Sequence, residues 1–171
     1  MEEKISLTDD VLSASYDAAE ISFDFIGDSE TALICEADAA IKEKITQVLK
    51  DMGYHVTESD SGRDALKNMR FHSYNLIVIN ENFGLADAQS SNDVLIYLQN
   101  LAAATRRNTF VTLLSDNYRT MDNMMAFNKS VNLIINKKNM DDFARIIKQG
   151  VEESRAFYAT LKDSLKKLGR I

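Results

Sequence analysis

Tyr74-Asn75-Leu76-Ile77-Val78-Ile79-Asn80-Glu81-Asn82-Phe83-Gly84 is an uninterrupted apolar run that stops abruptly at three polar side chains. A run this short, rich in β-branched residues and closed by glycine, fits a strand covered on both faces, as in the middle of a parallel sheet. Its last residue then stands at the sheet's carboxyl edge, where open α/β sheets place ligands and chemistry. Asn80 holds that position, and what a carboxamide can do there governs the functional reading.

Upstream, Thr31-Ala32-Leu33-Ile34-Cys35 reads as a buried strand ending at Glu36. Asp38 is placed to cap a helix in which Ile41, Ile45, Val48, Leu49 and Met52 fall at helical spacing, and Gly53 closes it. Residues 54–57 form a second expected strand, and Ser61 with Asp64 has the form of a capping box for the helix through Ala65, Leu66 and Met69. Downstream, a polar loop over 84–92 leads to a helix carrying Val94, Leu95, Leu98 and Leu101. Phe110-Val111-Thr112-Leu113-Leu114 is a fourth strand ending at Ser115. A helix with Met121, Met124 and Met125 follows, read as core in preference to an adaptable partner surface. Residues 131–135 make the fifth strand, running into Asn136-Lys137-Lys138. Five strands alternating with helices of this size dictate a doubly wound α/β fold, a parallel sheet with right-handed crossovers. Pattern alone leaves the strand order open.

The chain of 171 residues divides into an acidic tail over 1–30, a domain over 31–150 and a helical extension over 151–171. The tail holds nine acids against Lys4 alone, too polar and charged for a packed core of its own. Within it Ile21, Phe23 and Phe25 alternate with Ser22 and Asp24, which fits a short edge strand, a segment laid on the domain surface, or a linear partner motif. The rest is nearly balanced in charge, which argues against a nucleic-acid partner. No apolar run approaches the ~20 residues of a membrane span. The single cysteine, Cys35, excludes a disulfide framework and reads as a small buried hydrophobe. A reduced, cytoplasmic protein without membrane contact is the expectation.

The run Leu33-Ile34-Cys35-Glu36-Ala37-Asp38, the helix ending in Gly53-Tyr54, the strand closing at Asn80, the strand closing at Ser115 and the strand closing at Asn136-Lys137 together resemble the landmarks of a response-regulator receiver domain. The resemblance covers residues 31–150. It implies a flavodoxin-like sheet of order 2-1-3-4-5 with a pocket at the ends of strands one, three, four and five. In such domains two adjacent acids follow strand one, an aspartate ending strand three accepts a phosphoryl group, a hydroxyl residue ends strand four and a lysine ends strand five. Carried over, these imply Glu36 for the first acid, Ser115 for the hydroxyl and Lys137 for the lysine, with Asp38 beside them. Ala37 stands in place of the second, metal-binding acid, Asn80 in place of the phosphoryl acceptor, Lys138 in place of a proline, and Ile134 in place of the switch aromatic.

Those departures have a chemical reading of their own. Phosphoryl transfer to a side chain needs a nucleophilic oxygen and a divalent cation to neutralise charge. An amide oxygen is uncharged and its lone pair is delocalised, and Mg²⁺ is held through carboxylates. With Ala37 and Asn80 both ingredients are missing, so the expectation is a phosphorylation-independent pseudo-receiver with no metal, no cofactor and no catalytic residue. Lys137 is expected to pair with Glu36 and donate to the Asn80 oxygen, with Ser115 completing the network. Alternation turns Glu81 away from the pocket, leaving phosphorylation on that acid as the alternative, and a small flavin- or nucleotide-binding protein as the third. His55 and His72 lack companions at metal or catalytic spacing, and no nucleophile elbow or Gly-rich phosphate loop is present.

The last helix is expected to start at Asn139, with Phe143, Ile146, Ile147 and Val151 packed on the sheet. It continues with Ala144, Ile147, Val151, Ser154, Tyr158, Leu161, Leu165 and Leu168 at alternating a and d positions. A lone helix with such a stripe is unstable in water. The leading expectation is a homodimer through this helix, ahead of folding back onto Ile21, Phe23 and Phe25, and of docking on another protein.

Overall fold

Strand β3, Leu76–Asn80, is buried along its whole length and lies at the centre of a five-stranded parallel sheet. Around it are β1 (Thr31–Cys35), β2 (His55–Glu58), β4 (Phe110–Ser115) and β5 (Leu133–Asn136), in the order β2-β1-β3-β4-β5. Residues 29–85 and 91–170 are described in the computed structural model. The chain leaves β1 towards β2 and returns on the other side to β3, so strand order reverses between β1 and β3. Their carboxyl ends carry Glu36 and Asn80, which is where such sheets form a cleft.

Alternation along each strand builds two cores. Leu33, Ile77, Ile79, Val111, Leu113 and Ile134 face α2 (Gly62–Phe71), α3 (Asp93–Gln99) and α5 (Asn123–Asn128) through Leu66, Val94, Leu98 and Ala126. Ala32, Ile34, Leu76, Val78, Leu114 and Ile135 face α1 (Ala39–Asp51) and α6 (Phe143–Lys167) through Ile45, Leu49, Phe143 and Ile147. Each fully buried Val, Leu, Ile or Phe contributes about 1.5–3 kcal/mol, so the two layers hold β1, β3, β4 and β5 from both sides, while the edge strand β2 meets the second core through Val56. A short helix, α4 (Ala103–Arg106), joins α3 to β4.

The helix starts follow from their caps. Asp38 accepts from Ala40 N and Ile41 N at 2.9 and 3.0 Å, and Ser61 accepts from Asp64 N at 3.1 Å. Gly53, at φ +89°, follows α1 where a side chain would be strained. Asn139 does not start the last helix. A 3₁₀ turn, Lys137–Asp142, comes first, capped by Asn136, and the Asn139 side-chain Oδ1 accepts from Thr120 Oγ1 at 2.6 Å instead. The fifth strand starts two residues later and ends one residue later than expected, Asn132 Oδ1 accepting from the Val111 amide at 2.9 Å ahead of the first ladder pair.

Thr112 breaks the rule that buried polar atoms are paired: its hydroxyl has no hydrogen-bond partner among the described residues, although the residue is wholly buried. Thr112→Val keeps the shape and removes that desolvation cost, so it is expected to stabilise the protein by about 1 kcal/mol. Denaturant unfolding checks this through a raised midpoint at unchanged slope.

The Met121, Met124 and Met125 cluster is divided. Only Met125 packs on the core; Met124 is 72% exposed because the short α5 turns one face to solvent, and Met121, 42% exposed, lies in the turn before α5 at φ +62°. Ile21, Phe23, Phe25 and the rest of the acidic stretch before residue 29 lie outside the described residues, as do residues 86–90 and 171.

Candidate functional site

The reversal point of the sheet is filled by two of its own side chains. Asn80 Nδ2 donates to both carboxylate oxygens of Glu36, at 3.0 Å each, and Asp38 N donates to Oε1 at 3.0 Å. Asn80 Oδ1 is engaged as well, accepting from Asn82 N at 3.0 Å. Glu36 is 1% and Asn80 6% exposed. A buried carboxylate needs partners to offset its desolvation, and here neutral donors supply them. Ala37 contributes only a methyl group, and the Asp38 carboxylate is committed to capping α1. Ile134 lies wholly buried, with its carbonyl accepting from Met121 N at 2.9 Å. Burial likewise pushes the Cys35 thiol up, well away from a reactive thiolate.

Lys137 and Ser115 do not join that cluster. Lys137 Nζ pairs with Asp116 Oδ2 at 2.9 Å, so the expected link to Glu36 and Asn80 is not formed. The reason is local: Asn80 already satisfies both Glu36 oxygens, and Asp116 offers Lys137 an acid at the rim without desolvation. Such a rim pair contributes at most ~1 kcal/mol. Ser115 Oγ donates to Glu81 Oε1 at 2.8 Å and accepts from Asn117 N and Tyr118 N at 2.9 and 3.0 Å.

Glu81 therefore does not turn away. Alternation ends with β3 at Asn80, and residues 81–84 form a turn that swings the carboxylate across to β4. There Glu81 Oε1 also accepts from Asp116 N at 3.1 Å and Asn117 Nδ2 at 2.9 Å. Glu81 thus braces the loop after β4. Glu81→Ala leaves the buried Ser115 hydroxyl without its acceptor and is expected to cost about 2 kcal/mol, whereas Glu81→Gln keeps an acceptor oxygen and loses less than about 1. Hydrogen exchange at Asp116, Asn117 and Tyr118 checks it, rising in the first variant and not in the second.

The chemotaxis response regulator CheY4 of Vibrio cholerae is similar over 71% of this chain and 98% of its own, at 14% identity and a TM-score of 0.57. The CheY-like response regulator receiver domain protein from Methanospirillum hungatei JF-1 is similar over 75% and 98%, at 19% identity and 0.57. The receiver domain of the Francisella response regulator 1452 is similar over 73% and 98%, at 16% identity and 0.56. The fold is that of response-regulator receivers. The sequence matches no protein-family model and no curated protein.

Beyond the receiver-like body, α6 runs on. Its buried residues are Phe143, Ile146, Ile147 and Val151, all in its first half. Ser154, Tyr158, Leu161 and Leu165 are half-buried, Leu168 is 70% exposed, and Ala144 is exposed. Sequence reading missed Phe157, which is 78% exposed, and Phe127 on α5, 79% exposed; neither falls at a seam position, so periodicity gives no signal for them. With Met121, Tyr158 and Leu133 they line an open groove of about 450 Å³ between α5, β5 and α6. No helix of the described residues is long and apolar enough to cross a membrane.

Proposed function

We propose that this chain is a cytoplasmic receiver-like signalling module that works by protein–protein contact, without a phosphoryl switch and without enzymatic chemistry. The carrying observation is the Asn80 amide donating into both oxygens of Glu36. Asn80 itself offers no nucleophilic carboxylate at the end of β3, and Glu36 beside it already accepts from Asn80 Nδ2 and Asp38 N. The donors present do not fit Mg²⁺, which favours several carboxylate and water oxygens in an octahedron: Ala37 offers none, Asp38 turns Oδ1 to the α1 cap, and Asn80 brings an amide in place of a carboxylate. Among the described residues no three His, Cys, Asp or Glu side chains are grouped as metal ligands.

Glu81 supports a second reading, because its carboxylate lies beside Ser115 at the same sheet edge. One experiment separates the two. Incubation with a small phosphodonor and Mg²⁺, read by intact mass, is expected to leave the mass unchanged. A stoichiometric phosphoryl adduct overturns the leading reading, and mapping it to Glu81 establishes the second.

The contact surface in this reading is the α5–β5–α6 face with the projecting half of α6, and the partner is a second copy pairing through Tyr158, Leu161, Leu165 and Leu168. The 70% exposed Leu168 and the half-buried Tyr158, Leu161 and Leu165 support it, since a helix half with one apolar stripe is marginal in water. Sedimentation across a concentration series is expected to show a reversible dimer that Leu161→Asp abolishes. A monomer at every concentration overturns the pairing.

A further inference from the structure

The described chain begins beside the helix just discussed. Glu30 is ion-paired with Arg155 of α6, and the Tyr54 phenol beside them is pushed up to about 12 by burial and then by the Glu30 charge. Glu30 and Arg155 line a recess that also presents Arg107, Lys162, Phe110 and Tyr158. The polypeptide before residue 29 thus joins the domain at the root of the projecting half of α6, on the side where its cations and Tyr158 lie.

Charge and reach agree on what that stretch meets. Residues 1–28 carry eight acids against one lysine, whereas residues 156–170 carry Lys162, Lys166, Lys167 and Arg170 against Asp163 alone. At roughly 3.3 Å per extended residue, Phe25, Phe23 and Ile21 can lie at most about 13, 20 and 26 Å from Ser29. At 1.5 Å of rise per residue, Tyr158, Leu161 and Leu165 lie about 5, 9 and 15 Å beyond Arg155. Alternation of Ile21, Phe23 and Phe25 with Ser22 and Asp24 puts the three apolar side chains on one side of an extended segment.

We propose that residues 17–28 lie along the projecting half of α6 of the same chain, Ile21, Phe23 and Phe25 covering Tyr158, Leu161 and Leu165, with the segment's carboxylates facing Arg107, Lys162 and Lys166. The segment then competes with a second copy for one stripe. This rests on the reading of that helix half as the contact surface and adds its regulation. A tether this short gives an effective concentration on the order of 1 mM, so pairing of two chains is weakened until the segment is displaced.

The test uses the full chain with two added cysteines, Cys35 being wholly buried. Under mild oxidation Phe25→Cys with Leu161→Cys is expected to close a disulfide at monomer mass at least tenfold faster than Phe25→Cys with Asp163→Cys, which lies on the opposite side of the helix. High salt narrows that ratio. Equal rates for the two pairs, or a product at dimer mass, overturn the proposal. Sedimentation of Phe23→Asp/Phe25→Asp keeps the two readings apart. A dimer at least tenfold tighter than that of the unaltered chain supports both. Fast, selective intrachain closure together with a monomeric variant keeps the cover and removes the dimer. An unselective cross-link in a chain that dimerises does the reverse.

Discussion

Asn80→Asp is expected to cost about 3 kcal/mol of stability at neutral pH and still not to gain efficient phosphorylation. The substitution replaces the donor that holds Glu36 with a second carboxylate at a separation of about 3.0 Å, in a site where both residues are buried. Removing one partner of a buried charged group is among the costlier single changes, at ~3–5 kcal/mol. Two carboxylates sharing so small a space also hold one proton between them, so one of them titrates above its ordinary range in the folded variant. The folded variant then binds a proton that the unfolded chain releases, and its stability falls as pH rises. The deficit relative to the unaltered protein is therefore small below about pH 4, near the ordinary carboxylate range, and complete by neutrality. Thermal unfolding of both proteins between acid and neutral pH checks the sign. Phosphorylation stays inefficient because Ala37 still brings no metal ligand and Asp38 remains committed to α1; efficient labelling of the variant would show that the cation matters less than argued.

Phe143→Ala is expected to cost about 4 kcal/mol, in the range for a fully buried aromatic residue. Phe143 is wholly buried and heads the run that seats α6 on the sheet with Ile146, Ile147 and Val151. In the proposed reading the effect extends to partner contact, because that seat aims the projecting half of α6. Leu161→Ala, on the half-buried stripe farther along, should cost less than about 1 kcal/mol in the monomer, since surface substitutions rarely exceed that. Denaturant unfolding of the two variants under dilute conditions measures the contrast. Comparable losses would mean that α6 is anchored along its whole length.

The sheet was legible because β3 is a continuous β-branched run and the other strands end at recognisable polar residues. Helical spacing likewise marked Ile45 and Leu49 as core. The chemistry at the strand ends was legible only as a set of residues. Glu36, Asn80 and Ser115 do reach one sheet edge, but which donor meets which acceptor depends on rotamers and turns that spacing does not encode. Lys137 went to Asp116 because a rim acid was adjacent and the buried acid was already saturated. Glu81 was misdirected because period-two alternation was extended one residue past the strand, into a turn. The start of α6 was misplaced because Asn139 looks like a cap, while Thr120, distant in sequence, occupies its side chain.

The most direct test of the closed cleft is the nuclear magnetic resonance signal of the Asn80 side-chain amide, followed while Mg²⁺ and then a small phosphodonor are added. With Asn80 holding Glu36, the signal is expected to stay in place throughout, as are the backbone amides of Asp38 and Asn82. A saturable shift of the Asn80 amide with Mg²⁺, or its displacement on phosphodonor addition, would contradict a cleft closed to phosphoryl chemistry.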